Sequence, residues 1–249
     1  MSTATAVVTG AGGGIGSAIC VRLLADGFRV VGVDAKPRRP ACLEGVPDDQ
    51  FFWHVLDLRD ADGIAALRQS VDATWGAAQV LVNNAAVSPK DSSGRSHAFL
   101  DITDDEWDLV QQVNVRAVLK LSQNFLPGMK QLGWGRIINI GSVAGRTRSI
   151  SAGTSYMTSK AAVMGMTRAI AAEMGPFGIT ANVVAPGRIV TEMSMKRGAA
   201  DAAKVAESLP VRRLGEPAEV AAAVSFLASK ESGYFNGAVL DMNGGFFMP

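Results

Sequence analysis

Short apolar runs rich in β-branched residues recur along this chain with long helical stretches between them, and that alternation leaves few folds open. A strand covered on both faces by helices reads as a nearly continuous apolar run, whereas a half-solvated strand alternates. The runs predict strands over residues 6–9, 30–34, 51–55, 80–83, 136–140, 180–184 and 238–241. Helical patterns lie between them over 14–25, 61–75, 104–130, 155–174 and 217–228. The expected fold is therefore α/β: a doubly wound parallel sheet of about seven strands with helices on both faces. The third helix has a clear start, because Thr103 can cap it and Asp104, Asp105 and Glu106 place negative charge at the positive end of its dipole. No linker divides the chain, so a single domain over residues 1–249 is expected.

Composition removes several function classes. With 24 Lys and Arg against 23 Asp and Glu, the net charge of +1 supplies no field to hold nucleic acid or an anionic membrane. No run of about 18 apolar residues is present to span a bilayer. Two cysteines, Cys20 and Cys42, cannot build a disulfide framework, and the opening residues lack the regions of a signal peptide, so a cytoplasmic protein is expected. Glycine stands out, with 27 in 249 residues, which points to places where the backbone approaches something closely.

The first predicted strand runs into Thr9-Gly10-Ala11-Gly12-Gly13-Gly14-Ile15-Gly16 and then directly into a helical pattern. Glycines there let backbone N–H groups approach a pyrophosphate, whose charge a helix N-terminus favours. The spacing departs from the usual dinucleotide fingerprint, and a merely flexible turn is the alternative. Asp34 ends the second strand 18 residues after Gly16. A carboxylate at that place accepts hydrogen bonds from the adenosine ribose and repels a 2′-phosphate, which selects NAD over NADP. Lys36, Arg38 and Arg39 follow and blunt that repulsion, and a plain strand-end turn residue is the other reading.

Only two tyrosines occur, Tyr156 and Tyr234, and Tyr156 stands four residues before Lys160, on the same helical face. A phenol usable as a base near neutrality needs its pKa lowered by roughly three units, and an ammonium one turn away acts in that direction. An exposed pair without a role is the alternative. Ser142, at the end of the strand over 136–140, puts a hydroxyl where ligand-facing strand ends lie.

Together these residues resemble the short-chain dehydrogenases/reductases, and the resemblance runs from Thr9 to Asp241-Met242-Asn243-Gly244-Gly245. Thr9-Gly10-x-x-x-Gly14-Ile15-Gly16 is similar to the family's cofactor loop. Asn83-Asn84-Ala85-Ala86 is similar to its N-N-A-G, with Ala86 in place of the last glycine. Asp57, followed by Leu58, looks like the acidic residue that meets the adenine. Asn114, Ser142, Tyr156 and Lys160 match the family's tetrad in order, and Pro186-Gly187-Arg188-Ile189-Val190-Thr191 resembles its P-G-x-x-x-T element against the nicotinamide.

The resemblance implies a Rossmann-type fold and an oxidoreductase that moves a hydride between NAD(H) and a small or medium secondary alcohol or ketone. It implies Tyr156 as general acid and base, Ser142 as donor to the substrate oxygen, Lys160 on the nicotinamide ribose and against the tyrosine, and Asn114 on a water that relays the proton. Gly10, Gly14, Ile15, Gly16, Asp34, Asp57, Leu58, Asn84, Gly187, Ile189 and Thr191 join Tyr156 and Lys160 as expected cofactor contacts. A helix-kinking role is the alternative for Asn114. Two rival functions remain: an NADPH-dependent reductase of 3-oxoacyl thioesters, and a non-catalytic nicotinamide-sensing protein. The resemblance also implies a homotetramer built on the long helices over 104–130 and 155–174, although their small faces can equally pack inside one subunit.

Substrate recognition is expected in the segments without a family pattern. Arg188 can clamp a substrate carboxylate or phosphate, or can form a salt bridge instead. The polar loop over 88–97, ending in His97, forms a pocket wall or only surface. Met193 and Met195 open a substrate loop near 188–210 and give an adaptable apolar lining. His54 reads as a satisfied strand residue, and neither histidine has neighbours at metal-ligand spacing, so no metal is expected.

Overall fold

The computed structural model describes residues 3–149, 151–191, 194 and 198–249. Its sheet has seven strands in the order β3-β2-β1-β4-β5-β6-β7. The strands are β1 (Thr5–Thr9), β2 (Arg29–Asp34), β3 (Phe51–Val55), β4 (Val80–Asn83), β5 (Gly135–Ile140), β6 (Ile179–Pro186) and β7 (Val239–Met242). Every pairing is parallel. The helices are α1 (Gly14–Ala25), α2 (Ala61–Trp75), α3 (Asp104–Gln111), α4 (Ala117–Leu132), α5 (Thr154–Met174), α6 (Ala199–Ser208) and α7 (Pro217–Ala228). The expected Rossmann-type α/β architecture is present.

Alternation along each strand sorts the core into two layers. Ala6, Val8, Val30, Val82 and Ile138 face Ile19 and Leu23 of α1 and Val220, Val224 and Leu227 of α7. Val7, Val31, Val33, Leu81 and Ile137 face Leu67 and Val71 of α2 and Leu121, Phe125 and Met129 of α4. These strands bury both faces, hence their unbroken apolar sequences.

Two elements differ from the sequence expectation. The helix expected over 104–130 is interrupted by a π-type turn at Gln112–Arg116, with Asn114 buried at its centre. At the break Asn114 is tied to neighbouring elements: its Oδ1 accepts from Val87 N at 2.8 Å, and its Nδ2 donates to Val87 O and to Ser159 Oγ, each at 3.0 Å. Helix α6 lies inside the segment read from the sequence as a substrate loop near 188–210. The Thr103 cap forms as expected, with its side chain accepting from Glu106 N at 3.2 Å.

The chain winds β1, β2, β3 outward to one side, then returns to add β4 on the other side of β1. That reversal opens a crevice beyond the carboxyl ends of β1 and β4, where doubly wound sheets bind ligands. No described helix is long and apolar enough to cross a membrane. Ile137 is fully buried in the sheet, so Ile137→Ala is expected to cost about 2–5 kcal/mol, read as a lower urea midpoint with an unchanged slope.

Candidate active site

The floor of the crevice is a backbone cradle. At Gly10, where φ is +66°, a Cβ would stand 2.8 Å from Ala85 Cα, and at Gly16 it would stand 2.1 Å from Gly10 O. Only glycine permits this closeness. The Thr9 hydroxyl accepts from Asn84 N at 3.0 Å and from Ala85 N at 3.2 Å, while Asn84 Nδ2 donates to Thr9 O at 2.9 Å and to Gly10 O at 3.1 Å. Asn84, expected as a cofactor contact, thus spends its side-chain amide on holding the loop. Helix α1 begins after Gly13 without a side-chain cap, which leaves its first N–H groups for an anion. Gly14 lies against Thr191, since a Cβ there would stand 3.3 Å from Thr191 Cγ2, so the two expected cofactor elements meet.

Asp34 stands at the end of β2 with one carboxylate oxygen accepting from Gly12 N at 2.8 Å and the other from Lys36 N at 3.0 Å. Asp57 is bound by Arg59, whose guanidinium holds its carboxyl below the usual range. Beyond β6, Gly187 packs on Asn243, where a Cβ would stand 2.9 Å from the Asn243 Cα, and Ile189 is buried. Thr191 and Ser194 bond reciprocally, with Thr191 N donating to Ser194 Oγ at 2.9 Å. These groups suit a dinucleotide: a cradle without Cβ atoms, an open helix N-terminus and a carboxylate at the ribose position.

Next to the cradle, Gly145 lets the turn after β5 press on α5, where a Cβ would stand 2.8 Å from Lys160 C. That contact brings Ser142, Tyr156 and Lys160 together. Ser142 Oγ accepts from Ala144 N at 3.1 Å, and its hydroxyl acts on the ionisation of the Tyr156 phenol, favouring the phenolate. Lys160 is buried, donates to Ile140 O at 2.7 Å and lies 5.5 Å from the Tyr156 ring centroid.

The electrostatics differ from the sequence expectation. Burial pushes the Tyr156 phenol above its ordinary value, and the Ser142 hydroxyl offsets this only in part. Burial also pushes Lys160 down to about 8. The ammonium that was expected to lower the phenol is itself destabilised by the same dry surroundings.

A family model described as enoyl-(acyl carrier protein) reductase matches residues 10–247. The chain is similar to nodulation protein G of Azospirillum brasilense, with 37% identity over 250 residues and 98% of each chain covered. It is similar to acetoacetyl-CoA reductase of Cupriavidus necator, with 37% identity over 254 residues and 100% of each chain covered. It is also similar to 3-oxoacyl-(acyl-carrier-protein) reductase of Vibrio harveyi, with 36% identity over 243 residues, 98% of this chain and 97% of the relative. The chain belongs to the short-chain dehydrogenase/reductase family. As a member it is an oxidoreductase with a nicotinamide cofactor.

Not every expected residue of this dehydrogenase/reductase site faces the crevice in the way foreseen. Asn114 commits its side-chain amide to Val87 and Ser159, which anchors the strand-end segment rather than presenting a free amide to water. Arg188 donates to Ser194 O at 2.8 Å and to Asp201 Oδ2 at 2.7 Å, so its guanidinium ties the chain after β6 to α6 in place of a substrate clamp. His97 pairs with Glu106, its Nδ1 standing 2.6 Å from Oε2. Met193 and Met195 lie outside the described residues. Sequence reasoning missed the structural work of Thr9, although its hydroxyl sits in the glycine motif itself. Among the described residues no three His, Cys, Asp or Glu side chains cluster to hold a metal.

Lys160 yields a signed prediction. Its folded value of about 8 lies below the ordinary 10.5, so between these values the unfolded chain binds more protons than the folded one, and stability rises with pH. The stability of the protein relative to Lys160→Met should therefore rise from pH 8 to pH 10 in urea titrations. A difference that stays flat across that window contradicts the burial of a titrating ammonium.

Proposed function

We propose that the protein interconverts 3-oxoacyl and 3-hydroxyacyl thioesters using NAD(H). The observation that carries the chemistry is a buried lysine that donates to Ile140 O, next to the turn bearing Ser142, and stands 5.5 Å from the Tyr156 ring centroid, beside the dinucleotide cradle. Two O–H groups, from Ser142 and Tyr156, suit a carbonyl oxygen that gains charge as its carbon is reduced. Bound reduced nicotinamide supplies the hydride for that carbon. Ser142 donates a hydrogen bond to the oxygen, and Tyr156 delivers the proton that completes the alcohol. Lys160 stabilises the phenolate left behind until solvent reprotonates it, and in the oxidative direction the same groups act in reverse. The thioester class is supported by the relatives named for acetoacetyl-CoA and 3-oxoacyl-(acyl-carrier-protein) reduction. A simple secondary alcohol or ketone would use the same two hydroxyls and is the reading that the residues support by themselves.

Preference for NAD(H) rests on Asp34. Its carboxylate is fixed at the end of β2 by two backbone N–H groups, and a 2′-phosphate brought beside it meets a like charge that Lys36, Arg38 and Arg39 blunt without removing. Reduction of acetoacetyl-CoA, followed by the absorbance of reduced nicotinamide beside a panel of simple ketones, tests both parts. The expected outcome is turnover of the thioester with kcat/KM at least about tenfold higher for NADH than for NADPH, and a narrowed ratio in Asp34→Ser. Activity confined to simple ketones, or a preference for NADPH, overturns the corresponding part.

Tyr156→Phe should lower kcat by about 10²–10⁴-fold while NADH binding, read by fluorescence, stays unchanged. Assembly as a homotetramer is supported by the exposed apolar side chains Phe226, Tyr234, Phe235, Phe246 and Met248, which cluster in the last quarter of the sequence, and light scattering after gel filtration measures it.

A further inference from the structure

Glu106 was noticeable in the sequence only as an acidic residue in the first turn of α3, yet its side chain is just 9% exposed and both carboxylate oxygens are engaged. Oε1 accepts from Ser155 Oγ at 3.0 Å, and Oε2 stands 2.6 Å from His97 Nδ1. Ser155 is itself buried and directly precedes Tyr156. Its backbone carbonyl accepts from Gln111 Nε2 at 3.4 Å. Helix α3 thus holds the residue before the phenol by its hydroxyl and by its carbonyl. Helix α5 does not do this for itself, because its N-cap is Gly153 and lacks a side-chain cap.

On its other side Glu106 meets the polar loop over 88–97 through His97. That loop is tied to the same stretch of chain: Lys90 Nζ donates to Ser96 Oγ at 2.7 Å and to Ser151 O at 2.8 Å, and Ser96 Oγ donates to Ser151 O at 3.1 Å. A buried carboxylate is costly unless its oxygens are bonded, and an apolar residue would serve packing as well. What the carboxylate adds is directional: two hydrogen bonds that fix two separate segments against each other.

We propose that Glu106 is a positioning residue for Tyr156, acting through Ser155, and that His97 joins the 88–97 loop to the same carboxylate, so that loop and phenol are set together. This rests on the reading of Tyr156 as the proton carrier. A displacement near 1 Å at a reacting group costs about 10²-fold in rate, so a partial loss of grip should be visible in kcat.

The test is acetoacetyl-CoA reduction by Glu106→Ala, Glu106→Gln, Ser155→Ala, His97→Ala and the Glu106→Ala/Ser155→Ala double variant. NADH binding is measured by fluorescence, and amide exchange over residues 151–160 is measured without nucleotide. Glu106→Ala and Ser155→Ala should each lower kcat about tenfold, leave NADH binding within about twofold and speed exchange over 151–160. The double variant should be no worse than the worse single variant, since both remove one link. Glu106→Gln keeps an acceptor for Ser155 and should restore most of kcat, whereas His97→Ala should raise KM for the thioester more than it lowers kcat. Should Glu106→Ala fail to fold, Ser155→Ala and Glu106→Gln decide. Losses that multiply in the double variant overturn the proposal, as do variants that melt earlier but keep kcat. An unchanged protein that neither binds NADH nor turns over defeats the reading of the site instead, and the exchange data then still decide whether Glu106 holds the start of α5.

Discussion

A buried lysine ammonium held to a peptide carbonyl organises this active site. Lys160 reaches Ile140 O at the end of β5, and burial has already drawn its pKa down to about 8. The contact fixes α5 against the strand end, and the close approach at Gly145 makes it possible. Tyr156 and Ser142 then meet because they flank that contact, one on the helix and one on the turn after the strand. Dryness cuts both ways here. It strengthens any charge brought beside the phenol, and in the free protein it holds that phenol in its neutral form.

The second half of the site depends on a different economy of atoms. Thr9 and Asn84 use side-chain groups to bind the β1 and β4 loops together, so that backbone N–H groups at the start of α1 stay open to an anion. The strand order places this cradle at the reversal of the sheet, beside the turn that carries Ser142. The cofactor half is built from backbone, and the chemical half from side chains. The sheet supplies the registration between them.

Much of this was legible in the residues. Strand ends fell within a residue or two of the structure, because buried parallel strands write themselves as apolar runs. The glycine loop, Asp34 and the Tyr156–Lys160 pair were readable because each needs a particular residue type at a fixed offset. What escaped was nonlocal. Asn114, at the break in its helix, is bonded to Val87, 27 positions away. Glu106 becomes a hub only when α3 is packed beside Ser155, and Arg188 is drawn to Asp201 only once α6 exists. The sign of the Tyr156 shift also depends on burial, which spacing along a helix does not reveal.

The most direct measurement is an ultraviolet titration of the Tyr156 phenol in a Tyr234→Phe background, where it is the one remaining tyrosine. Tyr234 is fully exposed, so its loss leaves the site untouched. The account predicts a midpoint above the ordinary 10.0 in the free protein that falls by about one to three units when NAD⁺ is added. A midpoint that stays the same with and without the dinucleotide would contradict it.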